Sequence, residues 1–293
     1  MPTARVGDLD IHYELADYTD PWRAGAETFL LYHGYARNLT FWQNWVALLA
    51  RDYRVLRFDA RGCGETTKPA PGTRYTIDQL AADAIGLMDH LGLDRVHWVG
   101  ESSGGIIGLA AALAHPERLA SLTLCNTPFR IPEAVVDTYA VGEADQGSAI
   151  EKHGVGGWCR LTLPYRLDVT QAPPELGDWY CAEMDKTPKH VAIALHEVFA
   201  GGDFWPRLSE VRVPTLILAG ENSPIARREQ MEQMRQRLPS ARLQIFAGYG
   251  HGINLIAPER CVAEIRAFLG HLRESGAEPE RSWSGAPQPD PRG

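Results

Sequence analysis

Ser102 lies in the segment Gly100-Glu101-Ser102-Ser103-Gly104-Gly105, after an apolar run ending at Val99 and before an apolar helical pattern opening near Gly105. Glycine and serine at this spacing are common in isolation. Between a strand and a helix they describe a turn so tight that the serine takes strained dihedral angles, and side chains two residues either side would clash. Such a turn lifts the hydroxyl clear of the sheet and sets it at a helix N-terminus, where the amide dipoles favour developing negative charge. That is the setting of a nucleophile.

A nucleophile needs a base and a place for the oxyanion. Tyr32-His33-Gly34-Tyr35 follows the apolar run Thr28 to Tyr32, and Gly34 permits close backbone approach. The backbone amides of Tyr35 and Ser103 are the expected oxyanion donors. His33 sits beside the strand end and is expected to bond within its own loop. Of ten histidines, His251 in Gly248-Tyr249-Gly250-His251-Gly252-Ile253-Asn254 is the best candidate base, because flanking glycines let it reach across a sheet edge. Serine first and histidine last is also the chain order that this chemistry uses on alternating strand–helix folds.

The elements that must position these groups are legible as a pattern. A β-hairpin is expected around Gly7-Asp8, within residues 5–15. Buried parallel strands are expected at Thr28 to Tyr32, Val55 to Phe58, Val96 to Val99, Leu119 to Leu124, Pro214 to Ala219 and Arg242 to Phe246. Helices are expected at Phe41 to Ala50, Ile77 to Leu91, Gly105 to Ala114, Ala226 to Leu238 and Pro258 to Leu272. The alternation predicts an α/β fold with a mostly parallel sheet. It stops between Pro128 and about Glu210, a stretch carrying Trp158, Tyr165, Trp179, Tyr180, Phe199, Phe204 and Trp205. We read residues 128–210 as a helical cap over the core formed by residues 1–127 and 211–274. Trp158 and Trp179 are candidate substrate contacts, or else part of the cap's own core. Residues 275–293 read as a disordered tail.

With these motifs, Asp59-Ala60-Arg61-Gly62-Cys63-Gly64-Glu65-Thr66, His115-Pro116-Glu117-Arg118 and Pro258-Glu259-Arg260, the chain resembles the α/β-hydrolase family over roughly residues 6–269. The resemblance, weakest over the cap, implies an eight-stranded sheet and hydrolytic chemistry without cofactor or metal. It leaves the substrate open. One departure matters. The family's acid partner of the histidine falls here on Ser223, or on Asn222 with a one-residue shift, and its alternative site falls on Asn126. Three accounts remain: Glu221 reaches His251 through its longer side chain; Asn222 or Asn126 fixes the imidazole tautomer; or the acid is absent or comes from another part of the chain. Glu101 is expected to point away from the active face into a structural ion pair.

The bulk properties narrow the class. The chain has 293 residues and a net charge of −8, which argues against a nucleic-acid footprint. Its N-terminus lacks the regions of a secretory signal, no stretch suits a membrane helix, and five scattered cysteines suggest neither zinc nor disulfides; a cytoplasmic location is expected. The leading reading is a serine hydrolase of carboxylic esters or lactones, with activated or enol esters favoured because a weakened triad suits easy leaving groups. The aromatic cap suggests a small apolar or aromatic substrate. Alternatives are C–C bond hydrolysis or cofactor-free lyase or oxygenase chemistry on the same fold, and a non-catalytic ligand-binding member of it.

Overall fold

Thr28–Tyr32 shows why the central strands are apolar without alternation: Phe29 and Leu31 enter one apolar layer, Leu30 and Tyr32 the other. A strand covered on both faces has no polar side to present. The computed structural model describes residues 2–22 and 25–276, and eight strands in them form one sheet. They are β1 (Thr3–Val6), β2 (Leu9–Ala16), β3 (Thr28–Tyr32), β4 (Arg54–Phe58), β5 (Val96–Glu101), β6 (Leu119–Cys125), β7 (Thr215–Gly220) and β8 (Ala241–Phe246). Their order is β1-β2-β4-β3-β5-β6-β7-β8. The hairpin β1–β2 turns through Gly7 at φ 56° and joins β4 antiparallel; every later pairing is parallel.

The helices are α1 (Gln43–Leu49), α2 (Ile77–His90), α3 (Ser103–Ala114), α4 (Glu133–Ala140), α5 (Gln146–Arg166), α6 (Pro174–Asp185), α7 (Lys189–Ala200), α8 (Arg228–Arg237), α9 (Ile253–Ile256) and α10 (Pro258–Glu274). Apolar side chains of α2, α3 and α8 fill one face of the sheet, and those of α1 and α10 the other. Among the described residues, no helix is long and apolar enough to cross a membrane.

Helices α4 to α7 lie between β6 and β7 and build an apolar core of their own from Tyr139, Ile150, Trp158, Tyr180 and Met184. That core rests on Ala36 and Phe41 after β3 and on Ile225 after β7, at the carboxyl ends of the strands. A backbone bridge between Arg130 and Asp203 ties the segment's entry to its exit. Helix α8 begins at Arg228, two residues later than its pattern suggests, and the Ala226 N–H instead donates to Ser223 Oγ (3.0 Å). The expected tail lies outside the described residues beyond Gly276.

Candidate active site

Ser102 has φ 52° and ψ −119°, a conformation an L-residue holds only at a cost of about 1–3 kcal/mol. The glycines around it are required by contact. A Cβ at Gly100 would overlap the Gly104 carbonyl, and one at Gly104 would overlap the Tyr32 carbonyl. Ser102 N–H donates to Cys125 O (2.9 Å), which pins the turn to β6. The N–H groups of Tyr35 and Ser103 donate to no other group among the described residues. Both residues line one cleft with Ser102 and His251, whose walls also carry Ile131, Val136, Phe199 and Ile225.

His251 is 1 % exposed. Its Nδ1 lies 3.0 Å from Ser223 Oγ. Its Nε2 lies 3.4 Å from Glu101 Oε1, and neither of these two atoms is taken up by an aligned hydrogen bond. Burial pushes the imidazole below its ordinary pKa, with Glu101 pulling the other way. The loop is held from the cap side: Asp168 N–H donates to His251 O (2.9 Å), and Gly250 N–H donates to Asp168 Oδ2 (2.7 Å).

Glu101 forms the expected ion pair, with Arg37, but it does not point away from His251. It is fully buried and turned into the site, where Arg37 binds one carboxylate oxygen and the other faces His251. Burial opposes its ionisation most strongly, but Arg37, His251 and His33 together outweigh burial and hold the carboxyl below its ordinary value. Gly34 makes room, since a Cβ there would overlap the Glu101 carboxylate. The signal was present in Arg37, three residues past Gly34, but nothing in the spacing joins it to a residue 64 positions later. His33 bonds within its loop region, Nδ1 to Gly34 O (2.8 Å), and accepts the Ala60 N–H at Nε2 (3.0 Å).

None of the three candidate orienting residues reaches His251 Nδ1. Glu221 accepts from Gly248 N–H (3.0 Å) and Arg228 (3.3 Å) on the outer side of the loop. Asn222 has an exposed side chain, and its N–H donates to Tyr249 O (2.8 Å). Asn126 fastens strand ends, its Oδ1 accepting the Gly220 N–H (2.8 Å) and its Nδ2 reaching Gly250 O (3.5 Å). The hydroxyl of Ser223 occupies the place.

The two tryptophans proposed as substrate contacts do not line the cleft. Trp158 is fully buried and donates to Tyr139 O (2.8 Å). Trp179 packs on Phe41 (ring centroids 4.8 Å apart) beside a separate surface depression with Gln171 and Leu255. The cap residues on the cleft wall include Tyr139, Gln146, Arg166 and His196. Trp158 touches the site only indirectly, lying under Arg166 with 3.9 Å from guanidinium carbon to ring centroid.

Residues 27–148 match the family model described as the alpha/beta hydrolase fold, and residues 202–279 the model described as TAP-like protein. The chain is 30% identical over 274 residues to the Caulobacter vibrioides protein named "Putative carbamate hydrolase RutD", covering 92% of this chain and 99% of that one. Among solved structures it is similar to the enol-lactonase from Burkholderia xenovorans LB400 (TM-score 0.81, 27% identity, 92% of this chain and 100% of that chain). It is also similar to a thermophilic esterase from Thermogutta terrifontis (TM-score 0.78, 28% identity, 92% and 97%). With the strained serine at the end of β5, the late histidine and the eight-stranded sheet, these matches make the chain a member of the α/β-hydrolase family.

Proposed function

We propose that this protein is a serine hydrolase that cleaves a carboxylic ester or lactone through an acyl-enzyme on Ser102. The observation that carries the reading is a strained Ser102 and a buried His251 on the wall of one cleft, faced by the unused N–H groups of Tyr35 and Ser103. Ser102 Oγ attacks the scissile carbonyl carbon and gives its proton to His251 Nε2. The two amides receive the oxyanion. Collapse breaks the carbonyl–oxygen bond, and the leaving oxygen takes the proton from Nε2. Water, deprotonated by the same imidazole, then releases the acid and restores Ser102.

Ser223 and Glu101 divide the work an aspartate does in the Ser-His-Asp arrangement. Ser223 Oγ has two lone pairs; one accepts the Ala226 N–H (3.0 Å) and the other suits Nδ1–H of His251 at 3.0 Å. That selects the tautomer with its lone pair on Nε2, the atom that must accept the serine proton. The Glu101 carboxylate then stands 3.4 Å from the atom where the proton arrives, rather than behind the ring. A base lowered by burial and steadied from the side favours leaving groups that need little protonation: activated esters, enol esters and strained lactones. The names of the enol-lactonase and esterase neighbours agree with that bond type, and carbamate cleavage, named for the RutD relative, attacks a carbonyl in the same way. The apolar wall of Ile131, Val136, Phe199 and Ile225 suits an apolar substrate body.

The test is fluorophosphonate labelling with hydrolysis of a short p-nitrophenyl ester. Labelling at Ser102 and at least a 10³-fold loss of turnover in Ser102→Ala are expected. Full turnover in that variant overturns the mechanism.

A further inference from the structure

Arg166 ends α5 and lies 3 % exposed on the cleft wall. Its Nε donates to Thr162 Oγ1 (3.0 Å), and Thr162 is itself anchored to Trp158 O (2.9 Å). The guanidinium carbon lies 3.9 Å from the Trp158 ring centroid, 4.5 Å from that of Tyr139 and 5.6 Å from that of Tyr35. Its Nη2 is buried with no hydrogen-bond partner, and among the described residues no carboxylate lies within ion-pair distance of the group. Arginine cannot shed its proton to escape burial. Aromatic faces compensate only part of the lost hydration.

The charge balance of the cleft points the same way. Arg37 is neutralised by Glu101, and burial pushes His196 below its ordinary pKa, towards the neutral form. Asp168, two residues from Arg166, spends its carboxylate on Gly250 N–H and on Thr170. Among the described residues the cleft therefore holds one positive charge without a counter-charge, in a protein whose net charge is −8.

We propose that Arg166 binds a free carboxylate of the substrate, so that the preferred esters or lactones carry an acid group besides the scissile carbonyl. The planar fork of arginine matches a carboxylate in a way that lysine does not, and its bed of rings fixes the fork before the ligand arrives. This inference rests on the Ser102–His251 reading of the cleft.

The experiment compares two p-nitrophenyl esters of matched length, the monoester of glutaric acid and the pentanoate, on the wild type, Arg166→Gln and Arg166→Lys. The wild type should prefer the acidic ester. Arg166→Gln should lose about 100-fold in kcat/KM on it, as for truncating one partner of a buried charge pair, with the neutral ester changed by less than about threefold. Arg166→Lys should fall between. Equal losses on both esters, or an acid preference that survives in Arg166→Gln, overturn the proposal. Should Arg166→Gln fail to fold, competition on the wild type decides: monomethyl glutarate should inhibit hydrolysis of the neutral ester far more strongly than dimethyl glutarate, and equal inhibition overturns the proposal. Calorimetry of monomethyl glutarate on Ser102→Ala, with and without Arg166→Lys, separates the two readings. Binding weakened by Arg166→Lys, without any turnover by the wild type, would uphold the anion site and sink the hydrolase mechanism.

Discussion

Glu101→Gln removes a charge beside His251 while keeping the shape of the side chain. At 3.4 Å from Nε2, a unit charge is worth about 5 kcal/mol to an imidazolium at an effective dielectric of about 20. Arg37, bound to the far carboxylate oxygen, cancels part of that. A net of about 2–3 kcal/mol corresponds to a loss of roughly 30- to 150-fold in kcat/KM. The sign on pH follows. Burial lowers the imidazole pKa and Glu101 raises it in opposition, so the loss of Glu101 lowers that pKa further. The acid limb of kcat/KM against pH, which reports the base in the free enzyme, moves to lower pH. Glutamine also leaves Arg37 without a counter-charge, and the variant should melt earlier. The double variant Glu101→Gln/Arg37→Gln removes both charges; it should regain stability and stay slow. An unmoved acid limb with an unchanged rate would refute the role assigned to Glu101. A double variant that regains its rate would show that Glu101 serves Arg37 and not His251.

Two other outcomes follow from the same structure. Ser223→Asp keeps an acceptor for the Ala226 N–H and sets a carboxylate beside Nδ1; it should move the acid limb to higher pH and improve turnover of esters with poor leaving groups about tenfold. An unshifted limb would count against the ring geometry. Glu27, whose pKa is lowered from 4.5 to about 2 by His97 (3.8 Å away) and by Arg273, which donates to it at 2.6 Å, with burial opposing, contributes stability that is full above pH 4.5 and fades as pH falls through 2. Glu27→Gln should therefore cost about 2–3 kcal/mol at neutral pH and almost nothing at pH 2, read from urea titrations at both.

The sheet was legible because each strand pattern is local: a run such as Thr28–Tyr32 is apolar for reasons contained within itself. Ser102 and His251 were legible for the same reason, since the glycines that let them stand where they do lie within two residues. The orienting group was not. Its identity depends on which atom of the loop Gly220–Ile225 meets a ring supplied from residue 251. Ser223 is neutral, and a search for a carboxylate passes over it. Glu101 was misread because strand alternation describes where a short side chain points, whereas this one reaches beneath the neighbouring loop to an arginine brought by β3. Trp158 and Trp179 were selected by size, which reports burial better than contact with a ligand. Arg166 carried no sequence signal beyond lying in the cap, because an unpaired charge is defined by neighbours that are absent.

Asp168 has a consequence for the protein's history and for its redesign. Caps are the part of such enzymes that varies, and exchanging one for another is the obvious way to change substrate. Here the cap contributes the carboxylate that holds Gly250 and the amide that holds the carbonyl of His251. A graft that spans Asp168 would carry off the brace along with the lid. Substrate range and the alignment of the base are thus inherited together, and a transplanted cap must bring its own residue for that loop.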